Sequence, residues 1–476
     1  MITLTCWAFA SPLGASPDDD FHLTSIWCAW GDRPGLCEST GHPGSRLIPA
    51  QIADSAICYA YHSDQSAACQ AGYQGTKPGD MVYATRGNFD GLYPPLFYAT
   101  TGALASPNIE ASAIAMRIMS AVIFVAMATL LYLLLPRSRR PTLAWAWLVS
   151  TIPLGLFIIA SNNPSSWAIT SSGSLWIALL GYFESTGRRR IALGALAAVA
   201  ALLGAGARSD AAVYSILAVI VVLVLSFERS RRFLMLSILP VAIIVVCAVF
   251  YLTSSQGSVA ASDTTGSAAA STNPLTLLLA NALNLPLLWA GVFGSWGLGW
   301  LDTPMPGVVS VGALVCFAVV VFIGLRSTDL RKKLALALVA VGLVVFPSYV
   351  LLQAGAVVGG DVQPRYILPL IVMLTGVALL TIGDRPFSLS ALQRDVIVVL
   401  LIVAQAMALH FTMRRYISGL DVADWNLDNH VEWWWGGIPP MVVWAIAVVA
   451  FGAMTIIVSR RALTSDDAVG EPVIAR

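Results

Sequence analysis

The chain has 476 residues, of which 57 % are hydrophobic and 11 % charged, and its formal net charge is +1. This composition excludes an ordinary soluble domain, in which about a quarter of the residues are charged. Apolar runs recur at the length that an α-helix needs to cross about 30 Å of hydrocarbon. The sequence therefore predicts an all-α polytopic membrane protein, for which no nucleic-acid partner is expected.

About 11 to 12 membrane-spanning helices are predicted, with a large first extracytoplasmic loop over 11–112. The predicted spans are 1–15, 113–135, 142–160, 167–183, 191–206, 211–227, 233–252, 308–325, 334–353, 366–382, 396–413 and 438–458. The first run is short for a span, which leaves three alternatives open. It is a tilted helix, a helix whose start lies upstream, or a signal peptide that lacks a basic n-region.

Basic residues occupy every second short loop. They are Arg137, Arg139 and Arg140; Arg188, Arg189 and Arg190; Arg229, Arg231 and Arg232; Arg326, Arg331, Lys332 and Lys333; Arg385 and Arg394; and Arg460 and Arg461. The positive-inside rule makes these loops cytoplasmic, so the intervening loops face outward. Only Arg414 and Arg415 break this alternation.

The chain is predicted to divide into four parts. An N-terminal transmembrane module covers 1–253, a linker and interfacial or re-entrant segment 254–307, a C-terminal transmembrane module 308–458, and a cytoplasmic tail 459–476. Residues 254–274 are rich in Ser, Ala, Thr and Gly, which is typical of a linker. Asn281, Asn284 and Pro286 interrupt the apolar stretch that follows, and they favour a re-entrant or surface-lying helix.

The first outer loop contains four of the seven cysteines. Of the three possible pairings, the sequential one closes two short loops and requires the least rearrangement. It joins Cys28 to Cys37 and Cys58 to Cys69. An oxidising outer face and the lack of a CxxC spacing favour disulfides over a metal site.

Polar residues cluster in five places on the predicted outer side. These are Asp18 to His22, Asn162 with Asn163, Arg208 with Asp210, Asp361 to Arg365, and the acidic and aromatic last loop 416–437. The inner side has basic loops and no glycine motif that would bind a nucleotide phosphate. Any chemistry is therefore expected to face outward and to use a donor that a lipid carries across the membrane.

Each cluster also has a plainer interpretation. The acidic run Asp18–Asp20 supplies a base, binds Mg²⁺ or Mn²⁺ through its oxygens, or is simply solvated. Arg208 with Asp210, and Arg365 with Asp361, either bind an anionic ligand or form local ion pairs. The aromatic residues near Tyr93 form either an interfacial belt or a wall of a lipid or sugar groove. The Trp433–Trp435 run either anchors the chain at the interface or stacks on the face of a sugar.

Five sequence motifs carry a resemblance to known membrane enzymes. They are Pro17-Asp18-Asp19-Asp20-Phe21-His22, Tyr93-Pro94-Pro95-Leu96-Phe97-Tyr98, Asn162-Asn163-Pro164, Arg208-Ser209-Asp210 and Gln363-Pro364-Arg365-Tyr366. With them the chain resembles the GT-C superfamily of polyprenyl-phosphate-sugar-dependent glycosyltransferases. It is most similar to the bacterial polytopic family numbered 2142 among the domains of unknown function, whose opening motif is Pro-Asp-Glu-x-x-His.

The resemblance implies a bacterial plasma-membrane enzyme whose active face is extracytoplasmic. It places the catalytic base on Asp18, with Asp19 at the position of the family's glutamate, and leaves the choice between the two open. The implied reaction is an inverting transfer of a sugar from a polyprenyl-phosphate donor to a cell-envelope glycan or lipid. The expected substrate-binding residues are His22, Tyr93, Asn162, Asn163, Arg208, Asp210, Gln363, Arg365 and Tyr366.

Two other functions remain open from the sequence. A transporter or flippase of a lipid-linked saccharide would place ionisable residues along a pathway near the bilayer midplane. Here the charges gather at the outer ends of the spans, and Arg117 is the clear exception within a helix. A non-catalytic envelope-assembly protein would tolerate replacement of Asp18. Membrane lipids are expected contacts in every case.

Overall fold

The computed structural model describes residues 1–71, 79–254, 273–326, 328–360, 362–381 and 387–463. The helices up to the end of the first loop and its following span are Ile2–Phe9 (α1), Asp19–Cys28 (α2), Ala50–Ala53 (α3), Pro95–Gly102 (α4) and Ile109–Leu134 (α5). The next are Arg140–Ser150 (α6), Leu154–Ile159 (α7), Ser165–Glu184 (α8), Gly187–Ala205 (α9), Ser209–Ser226 (α10), Arg231–Leu236 (α11) and Ile238–Thr253 (α12). The last are Pro274–Gly291 (α13), Gly307–Gly324 (α14), Leu330–Ala354 (α15), Pro364–Ala378 (α16), Ala391–Ile417 (α17) and Pro440–Leu463 (α18).

Within the described residues, eight helical segments are long and apolar enough to cross a membrane. They are α5, α10, α11 with α12, α13, α14, α15, α17 and α18, and α16 is a shorter apolar helix. The predicted spans at 167–183 and 191–206 form helices of comparable length, α8 and α9, whose serine, glycine and arginine content makes them less apolar. The prediction of an α-helical polytopic membrane protein is confirmed.

Two predicted segments differ from the structure, and a third takes a more regular form. The first span, 1–15, contains only the eight-residue helix α1. The span 142–160 is divided into α6 and α7 around Pro153, because proline has no amide hydrogen to continue a helix. The stretch 274–300, for which a re-entrant or surface-lying helix was expected, begins with the continuous helix α13, which is long and apolar enough to cross a membrane.

Asn281 explains why α13 tolerates its polar interruption. Its Nδ2 donates to the Ala356 carbonyl at 2.9 Å, and its Oδ1 accepts from the Val358 amide at 2.9 Å. A buried polar side chain is costly only when its hydrogen bonds are unmade. The turn after α15 makes those bonds here, so Asn281 can be buried within α13 without that cost.

Helix α16 packs against α6, α8, α13 and α15. Its partner α8 is buried along nearly its whole length. Helix α1 packs on α5 and α18, and Arg117 of α5 donates to the carbonyls of Ser11 and Pro12, both at 2.6 Å. This buried guanidinium therefore fixes the chain just before the acidic motif.

The first loop forms a small folded module rather than purely helical structure. Strands Glu38–Ser39 (β1), Arg46–Pro49 (β2) and Met81–Ala84 (β3) make an antiparallel sheet in the order β1-β2-β3. In its register Leu47 lies opposite Tyr83. Disulfides join Cys28 to Cys37 and Cys58 to Cys69, which is the sequential pairing that the sequence predicted.

The predicted cytoplasmic loops meet at one end of the helices. Arg139 Nε donates to Glu184 Oε2 at 3.0 Å, and its Nη1 donates to the Thr381 carbonyl at 2.8 Å. Lys332 Nζ donates to the Leu380 carbonyl at 2.8 Å. These contacts bring the segments after α5, α8, α14 and α16 to the same end.

The two arginines that break the charge alternation have local partners at the other end. Arg414 Nη2 donates to the Asn426 carbonyl at 2.6 Å and its Nη1 to the Asn429 carbonyl at 3.1 Å. Arg415 Nη2 pairs with Asp302 Oδ2 at 2.7 Å. Both guanidiniums thus hold loop segments together through local hydrogen bonds and an ion pair. This role accounts for basic residues on the side that the positive-inside rule makes extracytoplasmic.

Candidate functional site

Four segments that are distant in the sequence meet at the end of the bundle opposite the basic loops. Arg365, at the start of α16, donates from Nη2 to Asp18 Oδ2 at the start of α2. Asn163 Nδ2 donates to the Pro17 carbonyl at 2.8 Å. The Arg208 guanidinium carbon, before α10, lies 4.6 Å from the centroid of the Tyr366 ring. Four of the five predicted polar clusters therefore form one site, although Asp361 lies outside the described residues.

Solvent reaches Asp18, whose side chain is 30 % exposed, and also Asp20, whose side chain is 24 % exposed. Asp18 has a left-handed backbone, with φ of 61°, at the N-cap of α2. Besides Arg365 it contacts Arg86, whose Nη2 lies 3.3 Å from Asp18 Oδ1. Burial acts to raise the pKa of Asp18, but the charges of Arg365 and Arg86 outweigh it and hold that pKa below its usual range.

Asp19 lies in a different environment and is completely buried. Its Oδ2 accepts from the Ser16 amide at 3.1 Å, and its Oδ1 accepts from the Ser16 hydroxyl. Burial raises the pKa of Asp19 to about 6, and the Ser16 hydrogen bonds and the charge of Arg117 offset only part of this effect. The pKa values of the two adjacent carboxyl groups are therefore shifted in opposite directions.

Two buried guanidiniums form the basic side of the site. Arg208 holds Asp210 with a two-pronged contact, Nε to Oδ1 at 2.9 Å and Nη2 to Oδ2 at 2.8 Å. Arg365 Nη1 donates to Gln363 Oε1, and its Nη2 donates to the Tyr366 hydroxyl at 3.1 Å. Tyr366 also separates the two arginines, because the Arg365 guanidinium carbon lies 4.8 Å from its ring centroid. Such planar forks suit the oxygens of a phosphate or carboxylate.

Aromatic side chains close the site beside the acidic helix. His22 Nδ1 and the Tyr98 hydroxyl lie 2.9 Å apart, and the rings of His22 and Tyr93 are 5.6 Å apart. Tyr93 also lies 5.7 Å below the Arg208 guanidinium. Burial lowers the pKa of His22 well below its usual value, so the imidazole is neutral at pH 7.

Several buried polar atoms of the site have no hydrogen-bond partner among the described residues. They are His22 Nε2, Asn162 Nδ2 and Oδ1, and Arg365 Nε. An unpaired buried polar group costs free energy, so groups of this kind mark places where a ligand or water would be stabilised.

The acidic motif does not suit a divalent cation in this arrangement. Arg86 Nε lies 2.6 Å from Asp20 Oδ2 and also contacts Asp18, which Arg365 neutralises from the other side. Asp19 turns away towards Ser16. Within the described ranges no group of three or more His, Cys, Asp or Glu residues is arranged to hold a metal ion.

The last loop does not join this site through any contact described here. Glu432 accepts from the Ser66 hydroxyl at 2.5 Å, and its amide donates to the Ile417 carbonyl at 3.1 Å. Trp433 packs beside the loop residue Tyr59 and its neighbours, and Trp435 packs beside the start of the first loop. Trp433 and Trp435 therefore join the last loop to the first, whereas Trp434 packs against the core of the helical bundle.

Sequence reasoning did not single out Arg86 or Tyr98 as site residues. Arg86 lies in an ordinary loop between β3 and α4, and nothing in its flanking sequence indicates that it reaches both Asp18 and Asp20. Tyr98 was part of a quoted motif, but only the fold shows that its hydroxyl meets His22.

Over residues 1–374 the chain matches the family described as "Predicted membrane protein (DUF2142)". The chain belongs to this family. The matched region contains every member of the site from Asp18 to Tyr366, so the DUF2142 portion is the part of the chain that carries the site. No curated protein and no solved structure matches this DUF2142 protein.

Proposed function

We propose that this DUF2142 protein is an inverting glycosyltransferase of the GT-C type. It would transfer a sugar from a polyprenyl-phosphate donor to a cell-envelope glycan or lipid, on the extracytoplasmic face of the bacterial plasma membrane. The observation that carries the proposal is the pair of buried guanidiniums, Arg208 and Arg365, on either side of Tyr366 and next to the partly exposed Asp18.

The proposed reaction is a single displacement at the anomeric carbon. The acceptor hydroxyl gives its proton to Asp18 as its oxygen attacks that carbon, and the bond to the donor phosphate breaks with inversion. The leaving phosphate carries away the bonding electrons, and Arg208 and Arg365 stabilise its charge. Asp18 is preferred to Asp19 as the base because Asp19 has no exposed surface through which an acceptor could reach it.

The other predicted binding residues support this assignment by position. His22 and Asn162 present unpartnered polar atoms, which could bind sugar hydroxyl groups. Tyr93 lies beneath Arg208, and Gln363 and Asp210 hold the two guanidiniums in place. Because Asp18 and Asp20 already have basic partners, the proposed reaction uses no divalent cation.

The test is sugar transfer by the purified protein in lipid, with a panel of radiolabelled polyprenyl-phosphate sugars. We expect turnover with one donor, loss of it in Asp18→Asn, and no effect of EDTA. Asp395→Asn is the matched control, because Asp395 is also paired with an arginine but lies on an exposed part of α17. Equal turnover in wild type and Asp18→Asn would exclude the assigned base.

One feature favours a transporter of a lipid-linked saccharide as the second candidate. The buried helix α8 carries serine hydroxyls that have no partner among the described residues, at Ser166, Ser171, Ser172 and Ser174. A polar buried helix is a feature of substrate pathways through membranes. Movement of a labelled lipid saccharide across the bilayer, without turnover of any donor, would favour this function.

A further inference from the structure

Left-handed backbone occurs at Asp18 in the site and also in the loops outside it. Among the described residues, four that are not glycine have a left-handed backbone: Asp18, Tyr61, Leu301 and His430. Tyr61 has φ of 66°, which is unusual for a bulky side chain. Strain of this kind persists only where the surroundings enforce it, and it is frequent at ligand sites.

A buried ion pair enforces the conformation of Tyr61. Its amide donates to Asp302 Oδ2 at 3.1 Å, and the same oxygen receives Arg415 Nη2 at 2.7 Å. Arg415 Nη2 also donates to the Tyr59 carbonyl at 2.6 Å, two residues before Tyr61. The side chains of Arg415 and Asp302 are 0 % and 5 % exposed, so this anchor is rigid and protected from solvent.

The anchor holds the Tyr61 ring out in solvent, where it is 71 % exposed. The ring is supported from one side by the buried Trp300, with centroids 5.6 Å apart in an edge-on arrangement. Trp300 Nε1 donates to the Gly14 carbonyl at 2.8 Å, four residues before Asp18. Hydrogen bonding and ring contact therefore connect the exposed ring to the segment that carries Asp18.

Electrostatics agree with this proximity. Burial is the largest cause that raises the pKa of Tyr61, and the carboxylates of Asp18 and Asp20 raise it further. The charge of Arg86 acts in the opposite sense. The phenol therefore lies within electrostatic range of the acidic side of the site.

We infer that Tyr61, supported by Trp300, is a platform for a pyranose ring of the acceptor glycan. The face of an aromatic ring carries partial negative charge, which attracts the polarised C–H groups on the face of a sugar. An exposed aromatic ring has the chemistry for that contact. The backbone of Tyr61 is anchored and its ring contacts Trp300, which is hydrogen-bonded to the segment that carries Asp18, so ordering the ring on binding costs less conformational entropy. This inference rests on the proposed function, because it names the place of the acceptor in that reaction.

The experiment measures saccharide binding without a donor, so it does not depend on turnover. Neutral hexasaccharides of glucose, of mannose and of galactose are titrated against the protein in lipid nanodiscs by saturation-transfer NMR, with hexaethylene glycol as a control without sugar faces. The variants are Tyr61→Phe, Tyr61→Gly and the matched control Tyr83→Ala. Glycine favours the left-handed backbone, so Tyr61→Gly removes the ring without collapsing the turn.

We expect one hexasaccharide to bind wild type, Tyr61→Phe and Tyr83→Ala equally. Binding to Tyr61→Gly should be roughly fivefold to tenfold weaker, the effect of losing one aromatic contact. Tyr83 is a suitable control because it is 55 % exposed in the same loop module and contacts Ser45.

Unchanged binding in Tyr61→Gly, or no binding of any hexasaccharide to wild type, would overturn the inference. Tyr61-dependent binding without transfer from any donor would sustain the platform and refute the transferase. Transfer that persists with Tyr61→Gly at an unchanged acceptor KM would sustain the transferase and refute the platform.

Discussion

The opposite pKa shifts of Asp18 and Asp19 predict a distinctive pH profile for sugar transfer. The perturbation is pH itself, varied from 4.5 to 8, with kcat/KM for the donor as the measured quantity. That ratio reports the titration of the ligand-free protein. The donor phosphodiester keeps its single charge across this range, so the profile is not complicated by the substrate.

The two candidate bases give different profiles. Asp18 has a pKa below its usual range, so kcat/KM should stay flat down to pH 5. If Asp19 were the base, its pKa of about 6 would leave only about a tenth of the activity at pH 5. Replacing a general base usually reduces the rate about 10²- to 10⁴-fold. We therefore expect that loss in Asp18→Asn and not in Asp19→Asn.

The assay is the initial rate at donor concentrations far below KM, in nanodiscs of one lipid composition at every pH. Recovery of full activity after return to pH 7 is the control for acid unfolding. An acidic limb centred near pH 6 in wild type, absent from Asp19→Asn, would refute the assignment of Asp18 and transfer the role of base to Asp19.

Three further predictions concern stability and donor binding. Burial raises the pKa of Asp19 from 3.8 to about 6, so ionising Asp19 costs the folded state about 3 kcal/mol. This cost is absent below pH 3.8 and fully present above pH 6. The Tm of wild type should therefore decrease as the pH rises from 3.8 to 6, and the Tm of Asp19→Asn should decrease less. Asp302→Asn should reduce the free energy of unfolding by about 3–5 kcal/mol, because it leaves Arg415 buried without its counter-charge, whereas the exposed Asp395→Asn should leave Tm unchanged in the same thermal scan. Arg208→Lys should raise the donor KM about tenfold, since a lysine ammonium cannot keep the two-pronged Asp210 contact that positions the charge beside the proposed phosphate. An effect on the acceptor KM alone in initial-rate measurements would contradict the assigned phosphate contact.

The helical architecture and the meeting of the polar motifs were predictable because both depend on patterns that a sequence displays. Long apolar runs predict helices such as α10 and α15. Polar motifs between apolar runs must lie at helix ends, and this placed Asp18, Arg208 and Arg365 on one side before their contacts were known. The disulfides were predictable for a related reason, since short sequence separations restrict which cysteines can meet.

What could not be predicted depends on partners supplied by remote segments. In the sequence Asn281 favoured a re-entrant or surface-lying helix, and its two hydrogen bonds from the turn near Ala356 and Val358 are visible only in the fold. Arg415 looked like an exception to a topological rule, whereas its role is to pair with Asp302. Nothing near Arg86 in the sequence indicated its place in the site, because the carboxylates of Asp18 and Asp20 that it contacts come from a remote segment.

The pair between Asp18 and Arg365 also determines how the proposed site would work. In the ligand-free protein each neutralises the other, so Asp18 is a weak base and Arg365 is not free to bind phosphate. A donor phosphate that took Arg365 would leave Asp18 with Arg86, which is 57 % exposed and therefore better screened by solvent. Loss of the stronger, buried counter-charge would raise the pKa of Asp18 and make it a better base only once the donor is in place. The acidic limb of kcat, which reports the donor-bound protein, should therefore lie at higher pH than that of kcat/KM.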